Sequence, residues 1–340
     1  MTSLNISERG LIRKISNLIP VTNSKQLVKG IGDDCGVFRA GSGTDELWLI
    51  TTDTLTESVH FDLSWHPPEL VGRKSASVNI SDIAAMGGTP KFALLSIALP
   101  SSTPESLPDR FIAGFLDVLR FHDVLLIGGD TVKSRNDIAF TVTIVGQAKE
   151  RRILYRRGAQ VNDLVWVSGP LGEAAAGLEL CRLGESDSRE SFKQLIKAHL
   201  DPKAQVDLGL VLAECGHVTA MMDLSDGLAT DLAHLCSESG VGAEINASGL
   251  PVSNELAKAA SRLNCSTVDW ALSGGEDYHL IFTTAPDMRK TLPRLIQEKT
   301  GKEIHCIGRI INRNGVHLNR NGRITEITFQ GYDHFTLRSS

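Results

Sequence analysis

The feature that most constrains this chain is a set of acidic residues placed beside glycines or other small residues. The clearest example is the stretch Gly30-Ile-Gly-Asp-Asp-Cys-Gly36, which is followed closely by Thr51-Thr-Asp-Thr54. Similar stretches recur at Ser81-Asp82, Gly128-Gly-Asp-Thr131, Asp223-Leu-Ser-Asp-Gly227 and Gly274-Gly-Glu-Asp277. Small residues let the backbone come close to a ligand, and a carboxylate there can bind a hard cation. The sequence therefore predicts a site that gathers metal ions around phosphate.

Seven aspartates belong to this set, and we expect them in small-residue loops or on an exposed helix face. They are Asp33, Asp34, Asp53, Asp82, Asp130, Asp223 and Asp226. Each one alone could simply cap a helix or close a turn, which aspartate does well. Apolar segments typical of strands precede most of them, so we predict that these strands end at a common sheet edge.

Carboxylates that meet in this way need a partner of opposite charge. Two of them about 4 Å apart repel by roughly 4 kcal/mol at an effective dielectric constant of about 20, so a cluster would either take up protons or bind cations. A set of oxygen ligands selects Mg²⁺, Mn²⁺ or Ca²⁺, and Mg²⁺ commonly links protein carboxylates to substrate phosphates. The expected ligand is a nucleoside triphosphate with Mg²⁺.

The bulk composition is that of an ordinary globular protein of about two domains, with 340 residues, 41% hydrophobic and 22% charged. The net charge of −5 argues against a nucleic-acid-binding protein and against a basic membrane-surface protein. Six scattered cysteines without a C-x-x-C pair favour reduced thiols. The first ten residues lack the layout of a signal peptide, and no apolar run approaches the ~18 residues of a membrane span. We therefore expect a cytoplasmic enzyme.

Strand and helix patterns alternate along the chain, which predicts the α/β or α+β class. A strand at Leu47–Thr51 should lead into the loop of Asp53, and a helix should cover Glu69–Met86. A short buried strand at Val124–Ile127 should lead into the glycine loop before Asp130.

The composition turns basic and polar after residue 148, and this change predicts two domains, 1–148 and 149–340. In the second domain, the segment Gly169-Pro-Leu-Gly172 precedes a predicted helix. It could bind an anion at the helix N-terminus or serve as a plain tight turn. The chain has no Walker A motif, no dinucleotide G-x-G-x-x-G after a strand and no G-x-S-x-G elbow. If it binds ATP, it does so by a different, acid-rich route.

The acidic motifs, taken in order, resemble those of the thiamine-monophosphate kinase family. Its superfamily includes aminoimidazole ribonucleotide synthetase, selenophosphate synthetase and a hydrogenase-maturation protein. The matching segments cover nearly the whole chain: Gly30-Ile-Gly-Asp-Asp-Cys35, Thr52-Asp-Thr-Leu55, His60-Phe61, Asn79-Ile-Ser-Asp82, Ala84-Ala-Met-Gly87, Gly128-Gly-Asp-Thr131, Asp223-Leu-Ser-Asp-Gly227, Ser273-Gly-Gly-Glu-Asp277 and Gly331-Tyr-Asp-His-Phe335. The resemblance implies two α/β domains of the aminoimidazole ribonucleotide synthetase type. It also implies a homodimer whose N-terminal domains pair into a β-barrel, with ATP near the interface and thiamine monophosphate as the acceptor.

The resemblance also implies roles for individual residues. The magnesium ligands would be Asp33, Asp34, Thr51, Thr52, Asp53, Asp82, Asp130, Asp223 and Asp226. The catalytic residues among them would be Asp53, Asp130 and Asp226. The ATP contacts would be Thr51, Gly129, Asp130, Arg156 and Ser225. The thiamine-phosphate contacts would be His60, Glu276 and Tyr332.

Alternatives remain open at this stage. A lone histidine such as His60 is more often a hydrogen-bonding residue than a base, Glu276 could cap a helix, and Tyr332 could simply pack. Ser58 stands where many relatives have glycine, so the loop before His60 could adopt a different conformation. The chain could also be another ATP-dependent enzyme of the superfamily, or a non-catalytic protein that binds nucleotides or divalent ions.

Overall fold

Two mixed β-sheets organise the computed structural model, which describes residues 7–19, 24–41, 45–184, 190–332 and 334–335. The first sheet contains β1 (Leu27–Lys29), β2 (Gly36–Phe38), β3 (Glu46–Thr56), β4 (Thr89–Leu99), β5 (Leu125–Lys133) and β6 (Ala139–Lys149). Its strand order is β1-β2-β3-β6-β4-β5, and only the β4–β5 pair is parallel.

The second sheet has seven strands in the order β13-β12-β9-β11-β7-β10-β8. They are β7 (Leu164–Val167), β8 (Val218–Asp223), β9 (Gly242–Asn246), β10 (Leu280–Thr284), β11 (His305–Ile311), β12 (Gly315–Arg320) and β13 (Arg323–Glu326). Around it lie α4 (Glu173–Leu183), α5 (Lys193–Leu200), α6 (Val206–Cys215), α7 (Leu228–Ser239), α8 (Asn254–Leu263), α9 (Thr267–Ser273) and α10 (Thr291–Thr300). The antiparallel pairs dominate both sheets, which confirms a two-sheet fold of the α+β kind.

Three helices accompany the first sheet, namely α1 (Glu8–Leu18), α2 (Pro68–Ala85) and α3 (Ser106–Phe121). Helix α2 is the central one, because it packs on β3, β4, β6 and α3 and also reaches α6 and β8 of the other half. Most of its residues are buried, including the polar Lys74, Asn79 and Ser81. It begins with Pro68 in its first turn and ends before Gly87, whose φ of 68° suits glycine.

The predicted strand at Leu47–Thr51 and the predicted helix at Glu69–Met86 are confirmed as parts of β3 and α2. Three expectations about the acidic segments were wrong. Asp53 lies inside β3 rather than in a loop after it. Asp82 lies on a helix that is largely buried rather than on an exposed face. The predicted buried strand and glycine loop before Asp130 are instead one exposed strand, because Asp130 lies inside β5, where Leu125 and Ile127 are 63% and 57% exposed. The predicted domain boundary at residue 148 stays a prediction, although the first sheet ends at Lys149.

None of the six cysteines, all of which lie in the described ranges, takes part in a disulfide. Within those same ranges, no helix combines the length and the apolarity that crossing a membrane requires.

Helices α2 and α3 approach each other through two glycines. A Cβ atom on Gly114 would lie 1.9 Å from the carbonyl oxygen of Glu69, and one on Gly72 would lie 2.0 Å from that of Phe111. Such overlaps cannot be relieved by a rotamer change, because the clashing atoms belong to the backbone. The glycines therefore set the distance between the two helices.

We expect Gly114→Ala to lower the free energy of unfolding by about 1–3 kcal/mol, because the overlap outweighs the better helix propensity of alanine. Urea denaturation monitored by circular dichroism would measure the change. Gly41→Ala is the control, since none of the described residues comes within 4 Å of that Cβ position. Equal midpoints for the two variants would contradict the close helix contact.

Candidate active site

A cleft of about 1140 Å³ lies between the two sheets. One wall comes from β3, α2 and the segment after β3, and the other comes from the loops that follow β8 and precede β10. The cleft contains most of the residues that the sequence singled out, namely Asp34, Thr51, Thr52, Asp53, His60, Asp82, Arg156, Asp223, Ser225, Asp226, Glu276 and Tyr332.

Three carboxylates meet at the inner end of the cleft. Asp34 comes from the loop between β1 and β2, Asp82 from α2, and Asp223 from the end of β8. One oxygen of each lies within 4.8 Å of the others. The three therefore converge from different elements of both halves, and the prediction of one common sheet edge was wrong.

Hydroxyl groups hold two of these carboxylates in place. The Thr51 hydroxyl donates to Asp82 Oδ2 at 2.5 Å, and the Ser81 hydroxyl donates to Asp223 Oδ2 at 2.5 Å. The Arg156 guanidinium donates to Asp34 Oδ1 through Nε at 3.0 Å and Nη2 at 2.5 Å. Each carboxylate thus has a fixed orientation in the folded chain.

Burial and mutual repulsion both favour the neutral forms of these acids. Burial raises the pKa of Asp34 to about 6, against the lowering effect of Arg156, and burial together with Asp34 raises that of Asp223 to about 7. Burial, then Asp53 and Asp223, raises the pKa of Asp82 well above its usual range. A bound cation would stabilise the ionised forms of these three acids and offset the repulsion between them.

The donor set fits a hard divalent cation. Asp34 Oδ2 is buried and has no hydrogen-bond partner among the described residues, so it is available as a ligand. The possible metal ligands that we identify among the described side chains of the acid cluster are carboxylate and hydroxyl oxygens, which suit Mg²⁺ rather than zinc. The thiol of Cys35 is buried close by, and its pKa is raised well above its usual range by burial and by the neighbouring aspartates, so it stays a neutral thiol.

Asp53 and Asp226 lie on opposite walls near this cluster. The Asp53 backbone N–H donates to Asn79 Oδ1 at 2.9 Å, which ties β3 to α2. The backbone N–H groups of Asp226 and Gly227 donate to Asp231 Oδ2 at 3.2 and 3.0 Å. Sequence reasoning missed Asp231, although its place in the first turn of the helix after Asp226 is typical of a residue that fixes such a loop.

Two of the predicted metal ligands, Asp33 and Asp130, are not among the residues that line the cleft. Asp33 is buried beneath it, where Oδ1 accepts from the Arg156 backbone N–H at 3.0 Å and Oδ2 lies 3.4 Å from Lys29 Nζ. Asp130 is on β5, the outermost strand. The register places Asp130 opposite Ser96, then Thr141, then Thr54 across successive strands. Three strand spacings separate it from Thr54 of the cleft, or about 14 Å.

Gly129 has a structural reason to be glycine. A Cβ atom there would lie 1.8 Å from the carbonyl oxygen of Leu95 on β4. The glycine therefore lets β5 pair closely with its neighbour, and the single chain does not bring Gly129 into the cleft.

His60 lines the cleft, and one nitrogen of its ring is bound by the backbone of its own segment. Its Nδ1 accepts the backbone N–H of Thr56 at 3.1 Å, so the proton of the neutral ring is on Nε2. Burial lowers the pKa of His60, which keeps the ring neutral. Ser58, two residues earlier, has a φ of 66°, which explains why glycine is suited to this position.

The backbone of Tyr332 is bonded to the loop that contains Asp226. Its backbone N–H donates to the Asp226 carbonyl at 2.9 Å, and the ring packs edge-on against His334 with centroids 5.0 Å apart. Trp270 also lines the cleft. Asp333, part of the motif that contains Tyr332, lies outside the described residues.

Glu276 is flanked by two groups that sequence reasoning missed. Its Oε1 lies 2.6 Å from Lys74 Nζ, and its Oε2 lies 3.1 Å from His199 Nδ1. Burial opposes the ionisation of Glu276, but Lys74 and His199 outweigh it and hold its pKa well below the usual range. A signal for Lys74 was present in the sequence, since Lys74, Val78 and Asp82 recur at the i, i+4, i+8 spacing of one helix face.

The glycine loops of the second half have structural roles. The N–H groups of Gly172 and Ala174 donate to the two oxygens of Asp277 at 2.7 and 3.2 Å, so the anion at the start of α4 is the chain's own carboxylate. A Cβ atom on Gly275 would lie 2.5 Å from the Ser225 carbonyl oxygen, which accepts the Glu276 N–H at 2.8 Å. The two loops therefore pack backbone against backbone.

Residues 32–148 match the family "AIR synthase related protein, N-terminal domain", and residues 160–320 match the corresponding C-terminal domain. A thiamine-monophosphate kinase of Haemophilus influenzae is 37% identical over 329 residues, covering 95% of this chain and 96% of that protein. The enzyme of that name from Aquifex aeolicus is 42% identical over 256 residues, covering 75% and 80%.

Among solved structures, AaThiL complexed with AMPPCP and TMP superposes with a TM-score of 0.85 at 35% sequence identity, covering 98% of this chain and 99% of the other. The similarity thus extends over both sheets and the cleft between them. With this fold, this acid cluster and relatives that match it over nearly the full length, the chain belongs to the thiamine-monophosphate kinase family.

Proposed function

We propose that this chain transfers the γ-phosphoryl group of ATP to the phosphate of thiamine monophosphate, which yields thiamine diphosphate and ADP. The observation that carries the proposal is the convergence of Asp34, Asp82 and Asp223 in a cleft that also contains Asp53 and Asp226. The similar chain whose structure contains AMPPCP and TMP supports the choice of both substrates.

The acceptor needs no general base. A phosphate monoester is largely dianionic near pH 7, because its second pKa is about 6. One of its oxygens forms the new P–O bond with the γ-phosphorus, while the bond from that phosphorus to the β–γ bridging oxygen breaks and ADP leaves. We propose direct in-line transfer without a phosphorylated residue, and the neutral His60 as a hydrogen-bond donor to the substrate.

The carboxylates would hold Mg²⁺, with Asp34, Asp82 and Asp223 as the core and Asp53, Asp226, Thr51 and Thr52 beside them. Bound Mg²⁺ supplies positive charge that offsets the repulsion between two polyanionic phosphates. Arg156 would contribute further positive charge, and Ser225 would contact ATP.

We also propose that the chain forms a homodimer through β5, whose pairing with a second copy would extend the first sheet toward a barrel. Support comes from the exposed Leu125 and Ile127 on this outermost strand, because apolar edge strands pair readily. In such a dimer, Gly129 and Asp130 would contribute to the partner's nucleotide site, which accounts for their distance from the cleft of their own chain.

We expect Asp53→Asn and Asp82→Asn to lower kcat by about 100-fold or more, since each removes a carboxylate ligand of the Mg²⁺ that offsets the repulsion between the phosphates. ADP release with thiamine monophosphate, compared with a panel of other acceptors, would measure this. Asp287→Asn, on the surface and outside the cleft, is the control. Near-normal turnover in both site variants would refute the metal-cluster proposal.

Mg²⁺ alone should raise the melting temperature of the wild-type chain, because ligand binding to the folded state stabilises it. Asp82→Asn should lose this response and, without metal, should melt at the same or a higher temperature than the wild type, since it removes a repelling charge. Differential scanning fluorimetry with and without Mg²⁺ would test both points. An equal shift in the variant would contradict the ligand role of Asp82.

Mixing two inactive variants tests the shared site. If each site combines Asp53 of one subunit with Asp130 of the other, a heterodimer of Asp53→Asn and Asp130→Asn subunits contains one intact site. Random exchange should then restore about a quarter of wild-type activity, because half of the dimers are mixed and each has one working site of two. No recovery after verified exchange would indicate that both residues act within one chain, or that Asp130 has another role.

A further inference from the structure

Lys74 is a buried lysine that joins the two walls of the cleft. Its side chain has no exposed area, although lysine is almost never fully buried without a specific partner. Its Nζ lies 2.6 Å from Glu276 Oε1 on the second half and 3.4 Å from the His60 carbonyl oxygen on the first. Removing a charge from water in this way lowers the stability of the fold unless the charge is paired. The partners of Lys74 therefore indicate its role.

Helix α2 fixes the distance between Lys74 and the acid cluster. Lys74, Val78 and Asp82 lie on one face of this helix, and the last two line the cleft. Eight residues at 1.5 Å each place Lys74 about 12 Å from Asp82 along the helix axis. The Glu276 end of the cleft is therefore about two helical turns from the phosphate end, a separation that suits an extended substrate with its phosphate at one end and a ring at the other.

The Glu276 carboxylate is presented to the cleft in one fixed orientation. Lys74 pairs with one oxygen, and His199 Nδ1 lies 3.1 Å from the other without hydrogen-bond geometry, while 23% of the side chain stays exposed. An ionised carboxylate is only an acceptor, and each oxygen retains capacity for a further hydrogen bond. Held in this way, Glu276 is suited to accept a hydrogen bond from an amino group on a heterocyclic ring.

We propose that Lys74 is a positioning residue that sets Glu276 to select the amino group on the pyrimidine ring of the acceptor. This inference rests on the proposed function, from which the identity of the acceptor comes. Lys74 itself touches no substrate. It acts through the carboxylate, and it also fixes the His60 segment on the opposite wall.

The test compares thiamine monophosphate with its analogue in which oxygen replaces the ring amino group. Wild type should prefer the amino substrate by about tenfold or more in kcat/KM. In Lys74→Met and in Glu276→Gln, KM for thiamine monophosphate should rise about tenfold or more, KM for ATP should stay within about twofold, and the preference should fall toward unity. Lys258→Met, a surface lysine on α8, should retain the wild-type values.

The double variant Lys74→Met/Glu276→Gln distinguishes an effect on substrate preference from an effect on stability. It leaves no unpaired buried charge, so its melting temperature should recover relative to Lys74→Met while the substrate preference stays lost. Lys74→Arg, which keeps the positive charge, should regain part of the preference.

If wild type fails to phosphorylate thiamine monophosphate, the proposed function itself fails. If wild type is active and the variants keep the amino preference, the role of Lys74 and Glu276 is refuted while the function stands. Recovery of both stability and preference in the double variant would likewise refute it, because it would assign Lys74 a purely structural role.

Discussion

Repulsion among the carboxylates of Asp34, Asp82 and Asp223 is the constraint on which the rest of the structure depends. These groups lie within 4.8 Å of one another, and burial leaves them little water to screen their charge. Hydrogen bonds from Thr51, Ser81 and Arg156 hold one oxygen of each carboxylate, and Asp34 Oδ2 has no such partner among the described residues. The cluster is thus rigid and electrostatically incomplete, which is the condition for binding a cation without further rearrangement.

Helix α2 carries this constraint into the rest of the molecule. Most of its residues are buried, and three of its polar residues bond to other elements of the chain. Asn79 accepts from the β3 backbone, Ser81 reaches β8, and Lys74 reaches the loop before β10. Because these contacts lead to both sheets, the position of one helix determines how the two walls of the cleft face each other.

Sequence patterns predicted the elements around the site better than the way they meet. The helix predicted over Glu69–Met86 is present as α2, and the strand predicted at Leu47–Thr51 is part of β3. The apolar run before Asp130 had the same pattern as a buried strand, because apolar residues indicate a strand without showing whether another element covers it, and here the strand is exposed at the edge of the sheet. The convergence of Asp34, Asp82 and Asp223 could not be read from order along the chain, since it depends on how one sheet packs against the other. Lys74 was overlooked because lysine in a helix is usually solvated, and only its burial gives it a role.

The acidic groups at the two ends of the cleft have different charged neighbours. At the Asp82 end, three carboxyl groups meet with one arginine, so ionising all of them is unfavourable until a cation binds. At the Glu276 end, the carboxylate is matched by Lys74 on one oxygen, so it needs no cation and can act as a plain hydrogen-bond acceptor. Both oxygens of Asp277, the next residue, accept hydrogen bonds from backbone N–H groups at the start of α4, and Asp277 is not among the residues that line the cleft. Three acids that look alike in sequence therefore differ in chemistry, because the neighbours supplied by the fold decide whether each one binds metal, substrate or its own backbone.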